Sequence, residues 1–157
     1  MGRSNDIELL SVEEIIQILN GISSDASPKW GKMNISQMMR HCAYFIDLYT
    51  GKTKVNIIVR ILGRCFGFIF LSYVMKLDPK KTPKNLSTSS FMKVTSNNLN
   101  INDERKNLIK KMVELEKLND IVIHPIYGKM SKEKTLFFII HHTMHHLNQF
   151  ELIECKN

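Results

Sequence analysis

The feature that most constrains this chain is a succession of capped, amphipathic helix patterns with no convincing strand set between them. Ser11 and Glu14 form a capping box, followed by Val12, Ile15, Ile16, Leu19 and Ile22 at helical spacing. Asn34, with Gln37 three residues on, opens a second helix whose apolar face is Ile35, Met38, Met39, Cys42, Phe45, Ile46 and Tyr49; Gly51 stops it. Val55–Leu77 reads as a third helix, bent near Gly63 and Gly67. A fourth starts near Asn102 or Asp103 and uses Leu108, Met112, Leu115 and Leu118. Ser131 caps the last, about 131–154, with the stripe Leu136, Ile140, Thr143, Leu147 and Phe150. Helices of this kind must each bury one face, and the economical solution is an all-α antiparallel bundle.

The connections carry information too. His124-Pro-Ile-Tyr-Gly128 reads as a turn, because the residue before proline avoids the helical region and glycine permits positive φ. From Asp78 to Asn100 there is no periodicity, and a connection this long is usually functional or mobile. At 157 residues the chain is expected to be one domain, 1–157, large enough to hold its core without disulfide or metal.

Charge is concentrated in one place. The chain carries a net +7, yet residues 52–93 alone hold nine basic side chains and one acid, Asp78, for a local +8. A basic stretch raises nucleic acid or an anionic membrane as partners. No nucleic-acid motif or aromatic platform accompanies it, so no specific nucleic acid is expected. Arg60, Arg64 and Lys76 interrupt the apolar run Val55–Leu77, so no transmembrane segment is expected. The third helix is read as buried, with an interfacial amphipathic helix as the second option. An odd set of cysteines, Cys42, Cys65 and Cys155, implies reduced thiols, and the N-terminus lacks the apolar core of a signal peptide; both point to the cytoplasm.

Chemistry is concentrated elsewhere. Four of the six histidines fall in His141-His142-Thr143-Met144-His145-His146, giving two pairs four residues apart. Such pairs share a helix face, and neutral imidazoles so spaced suit a divalent transition metal. At about 100° per residue, His142 and His146 border the apolar stripe, whereas His141 and His145 turn towards solvent. Gln149 lies seven residues after His142 on the same side, placed to orient a ligand or touch a substrate. A helical pair needs a third ligand from another helix. His41 borders the apolar face of the second helix and is suited to meet the pair; His124, in a turn, is expected to bond nearby backbone. No HExxH glutamate is present, so a zinc-peptidase mechanism is unsupported, and Cys42 reads as a buried structural thiol.

These residues give the chain a resemblance to the DinB/YfiT-like superfamily of metalloenzymes, and in particular to its DinB-like branch. The motifs that carry it are Trp30, Met38-Met39-Arg40-His41, Lys84-Asn-Leu-Ser-Thr88, His124-Pro-x-Tyr-Gly128 and His142-x-x-His145-His146-Leu-x-Gln149-Phe150. The resemblance implies a DinB-like four-helix bundle, with an additional helix and a long loop between the second and penultimate bundle helices. It also implies a divalent metal (Zn, Ni or Fe) held by His41, His142 and His146. Better-understood members act as thiol S-transferases or isomerases with low-molecular-weight thiols. The expectation is therefore a metal-dependent transferase or hydrolase acting on a small molecule, with Gln149, Tyr127 and His145 as further contacts to ligand or substrate. Two rivals stand beside it. One is a non-catalytic bundle that binds nucleic acid or a membrane surface through segment 52–93. The other is a homodimer formed on an exposed Phe66–Phe70 patch.

Overall fold

A computed structural model of the chain describes residues 8–85 and 88–153. Leu86 and Ser87 of the loop motif, and Cys155, lie outside these residues. Five α-helices run in the order α1 (Val12–Gly21), α2 (Ile35–Tyr49), α3 (Ile57–Val74), α4 (Ile101–Glu114) and α5 (Lys132–Gln149). Short 3₁₀ turns occupy Pro79–Lys81, Ser90–Met92 and Leu115–Lys117. The architecture is the helical bundle that the periodicity predicts, with two additions to that reading.

Helix starts are written in the side chains. Ser11 accepts from the Glu14 amide while Glu14 accepts from the Ser11 amide, and Asn34 and Gln37 repeat the exchange on α2. Each such box closes two orphan amides and is typically worth about 1 kcal/mol. Asn100 caps α4 from the amides of Asn102 and Asp103, which sets its start one residue before the expected Asn102. Ser131 caps α5 as its sequence suggested, but α5 stops at Gln149, because Phe150 leaves the helical region and Glu151 takes φ 54°.

The core lies among α1, α2, α4 and α5. Ile15 and Leu19 of α1, Met38, Met39 and Ile46 of α2, Leu108 and Met112 of α4, and Ile139 and Leu147 of α5 are all essentially inaccessible. α2 is central, packing on both α4 and α5. A partly buried ion pair fixes the α2–α4 contact: Arg40 makes a two-pronged contact with Glu104, with Nε to Oε2 at 2.9 Å, one residue before His41. Bidentate pairing of this kind sets orientation as well as proximity.

The first addition is a β-hairpin. Strand β1 (Ile121–His124) pairs antiparallel with β2 (Gly128–Ser131), in the register Ile121 to Ser131 and His124 to Gly128. The expected His124–Gly128 turn is its tip. Strands of four residues carry only two inward positions, Val122 and His124 on β1, too few to register as alternation in sequence.

The second concerns α3, expected as a buried helix and found largely exposed. Of its residues only Gly67 and Leu71 are buried. Arg60, Gly63, Gly67, Leu71 and Val74 form its inward stripe, and the tip of the hairpin meets it there. A Cβ on Gly63 would collide with Ile126, and one on Gly67 with the Tyr127 ring. The two glycines thus permit close approach inside one continuous helix, and their role is contact with the hairpin. α3 gives the core only Leu71, with Val74 packed against it, and the other four helices supply nearly all the rest, so among the described residues no apolar face covers its outer side.

Candidate metal centre

His41 projects from α2, and His142 and His146 from adjacent turns of α5. Their ligand atoms all lie within 4.8 Å of one another. The hydrogen bonds around the rings decide which nitrogens face inward. His41 Nδ1 is 3.0 Å from the Met92 carbonyl oxygen, which can only accept, so Nδ1 carries the proton and Nε2 keeps its lone pair. His146 Nδ1 is 2.8 Å from Gln149 Oε1. The Gln149 amide cannot be reversed, because its Nε2 donates to the Trp30 carbonyl at 2.5 Å. His146 Nδ1 is therefore also the protonated nitrogen, and its Nε2 is free.

His142 completes the group. Its Nε2 stands 3.1 Å from His41 Nε2, and the Phe45 ring lies parallel on the imidazole at 3.7 Å between centroids and 4° between planes. The stacked phenyl fixes the plane of the ring and shields it from water. Two nitrogens that share an ion at about 2.1 Å each stand roughly 3.0–3.4 Å apart, so this spacing fits a common metal.

Electrostatics agree with the tautomers. Burial pushes the His146 pKa down to about 3, with the neighbouring His41 adding to the effect. Burial also holds His142 well below the ordinary imidazole value, reinforced by His146 and His41, and lowers His41 despite its bond to Met92. At neutral pH all three rings are uncharged, as a metal ligand requires. The donor set is three borderline-soft nitrogens with no carboxylate, which suits a transition metal better than calcium or magnesium.

The other histidines are used differently. His141 and His145 do not turn towards solvent as helical angles suggested. His141 is buried, with Nε2 2.9 Å from the Leu77 carbonyl, and His145 Nδ1 is 3.2 Å from the Pro79 carbonyl. The segment after α3 folds over that side of α5 and turns both rings into backbone clamps. His124 does bond backbone: its Nδ1 accepts from the amides of Ile126 and Tyr127, both at 3.1 Å. It is fully buried, and burial lowers its pKa to about 4.

Of the three additional residues expected near the site, Gln149 bonds His146 directly, and His145 neighbours it, with ring centroids 5.1 Å apart. Tyr127 is gathered elsewhere, stacked on His124 at 4.5 Å and tilted against Tyr49. Burial raises its phenol pKa, so the ring stays neutral. Cys42 is fully buried 3.7 Å from the Met38 sulfur, and burial pushes its thiol up to about 12, which rules it out as a nucleophile near neutral pH.

Sequence reasoning missed the backbone contributions. The carbonyls of Met92, Leu77, Pro79 and Trp30 orient four side chains of the site, yet no side-chain pattern marks a carbonyl. Gly31 offered a faint signal: φ is +82°, and a Cβ there would stand 2.5 Å from Gln149 Nε2. Lys84 adds a cation 4.2 Å above the Trp30 ring, at the edge of the same region.

The motif set and the geometry converge on one family. A model of the DinB superfamily matches residues 12–150. The chain belongs to the DinB superfamily. The match takes in all five helices and all three histidines of the centre. No curated protein and no solved structure matches the chain.

Proposed function

We propose that this DinB-superfamily chain binds one divalent transition metal through His41, His142 and His146 and uses it in small-molecule chemistry. The reading is a transferase of the thiol S-transferase type or a hydrolase. The observation that supports it is the clustering of the three rings: Nδ1 of both His41 and His146 is committed to an acceptor, leaving Nε2 available in a group whose candidate ligand atoms lie within 4.8 Å of one another. Superfamily membership supports the same reading.

A divalent ion held there supplies Lewis acidity, lowering the pKa of a water or a low-molecular-weight thiol towards neutrality. The chain's own residues do the rest. Gln149 holds the proton of His146 on Nδ1, and the Met92 carbonyl does the same for His41. Phe45 covers one face of His142 and keeps water from it. Lys84 lies over the Trp30 ring and His145 beside it, and both stand as candidates for substrate contact.

The deciding experiment is elemental analysis of untagged protein after incubation with Zn, Ni, Fe and Mn, beside His142→Ala. About one equivalent of one metal in the wild type is expected, with affinity lowered more than ~100-fold in the variant, since removing a ligand costs at least as much as removing its hydrogen-bond partner. A wild-type preparation that takes up none of the four metals sinks the proposal.

A further inference from the structure

α3 is the one long element whose chemistry the site does not use. It is 18 residues of mean hydropathy 1.8, and by length and composition it is the one described helix apolar enough to cross a membrane. Its inward stripe, Arg60 to Val74, meets the hairpin tip. The opposite side holds Ile58, Ile61, Leu62, Cys65, Ile69 and Ser72, with no charge among them. Exposure there is extensive: Ile58 is 63%, Ile61 56% and Ile69 59% accessible. An apolar surface of this extent on one helix marks an interaction site.

Charge identifies the partner. Lys54 precedes the helix, Lys76 and Lys81 follow it, and all three are exposed; Lys52, also exposed, is paired with Glu114 at 3.1 Å. We propose that α3 lies in the plane of an anionic lipid surface, with its outer side among the acyl chains and the flanking lysines on the headgroups. An apolar face bounded by cations is the pattern of an interfacial helix. A second copy of the chain is disfavoured, because pairing α3 with α3 sets one +8 segment against another. Nucleic acid is disfavoured because the outward side offers phosphate no cation.

Lying flat also fits better than spanning. Eighteen residues rise about 27 Å, short of a hydrocarbon core of ~30 Å. The arginines reinforce this: Arg60 sits on the inward stripe and Arg64 lies on its shoulder, beside Gly128 of the hairpin. A span would carry both, and the hairpin docked beside them, into hydrocarbon.

The test is co-sedimentation of the full chain with phosphatidylcholine vesicles and with vesicles containing phosphatidylglycerol, at about 0.1 M and 1 M salt, where the screening length falls from ~10 Å to ~3 Å. Wild type should bind the anionic vesicles at least tenfold more tightly, and high salt should remove most of that preference. Ile58→Asp with Ile69→Asp should lose at least tenfold on anionic vesicles with circular dichroism and metal content unchanged. Lys76→Glu with Lys81→Glu should lose the lipid preference, and this pair decides the matter if the aspartate variant misfolds. Three results overturn the proposal: no binding to anionic vesicles; binding indifferent to lipid charge and salt; or wild-type self-association on this face without vesicle binding. Salt-sensitive retention on duplex DNA that the aspartate pair leaves intact, with no vesicle binding, would overturn it in favour of nucleic acid.

Discussion

α3 and α5 are both 18 residues long, yet they treat their side chains in opposite ways. α5 carries four histidines and buries two of them, together with Thr135, Thr143 and Gln149. α3 is far more apolar and leaves most of its large side chains exposed. The difference lies in partners. α5 is packed by α2, the hairpin and the Pro79–Lys81 turn, and each of its histidines finds a hydrogen-bonding or ring partner there. α3 touches the hairpin tip along a stripe thinned to glycine at two positions. Polarity is tolerated inside where most donors are matched, the Thr135 hydroxyl being an exception, and apolarity is left outside where no described protein face comes to meet it.

Substitutions on the two helices should separate these cases. Ile139→Ala in α5 removes a fully buried side chain and should cost about 2–5 kcal/mol, read as a shift of the urea midpoint. A loss below about 1 kcal/mol would mean that α5 is less well enclosed than it looks.

Acid should act on the buried imidazoles next. Their folded pKa values, about 4 for His124 and about 3 for His146, lie below the ordinary imidazole value. Above that ordinary value, about 6.5, both folded and unfolded chains hold neutral rings, and stability is complete. As pH falls below it, the unfolded chain takes up protons that the folded one refuses. Stability of the metal-free protein should therefore decline from about pH 6.5 through 4, and the His124 shift alone corresponds to roughly 3 kcal/mol. His124→Asn keeps an acceptor for the two turn amides and should flatten that decline, measured by urea melts at neutral and acid pH.

Gln149→Leu should lower metal affinity about 10–100-fold by freeing His146 to protonate the wrong nitrogen. Gln149→Glu keeps the acceptor for His146 but loses the donor to the Trp30 carbonyl, so it should restore affinity only in part. Unchanged affinity in the leucine variant would show that the Gln149 bond does not govern the tautomer. The smallest effect belongs to α3: Ile69→Ala should change stability in free solution by no more than about 0.5 kcal/mol, despite being an Ile-to-Ala change like the first. A large loss would show that the outer face of α3 is covered by protein after all.

The contrast also explains what could be read in advance. Caps and apolar spacing placed α1, α2, α4 and α5, because each signal involves residues three or four apart. The same spacing arithmetic singled out His142 and His146 and paired them with His41, which the structure brings together. It failed for His141 and His145, since their partners are carbonyls some 64 to 66 residues away on a loop without periodicity. It failed for α3 because hydropathy reports a need for burial without naming what supplies it.

The loop that follows α3 gives the centre a history as well as a shape. Leu77 and Pro79 clasp α5, and Met92 clasps His41 on α2, the last pair standing 51 positions apart in the chain. Contacts so distant in sequence form after local helices, because chain closure must come first. The approach of His142 to His41 spans 101 positions, longer still, so the helices can form before the three histidines are gathered. In the metal-binding reading proposed above, uptake during refolding should then lag behind the recovery of helix, and the interval between them would clock the gathering of the three histidines.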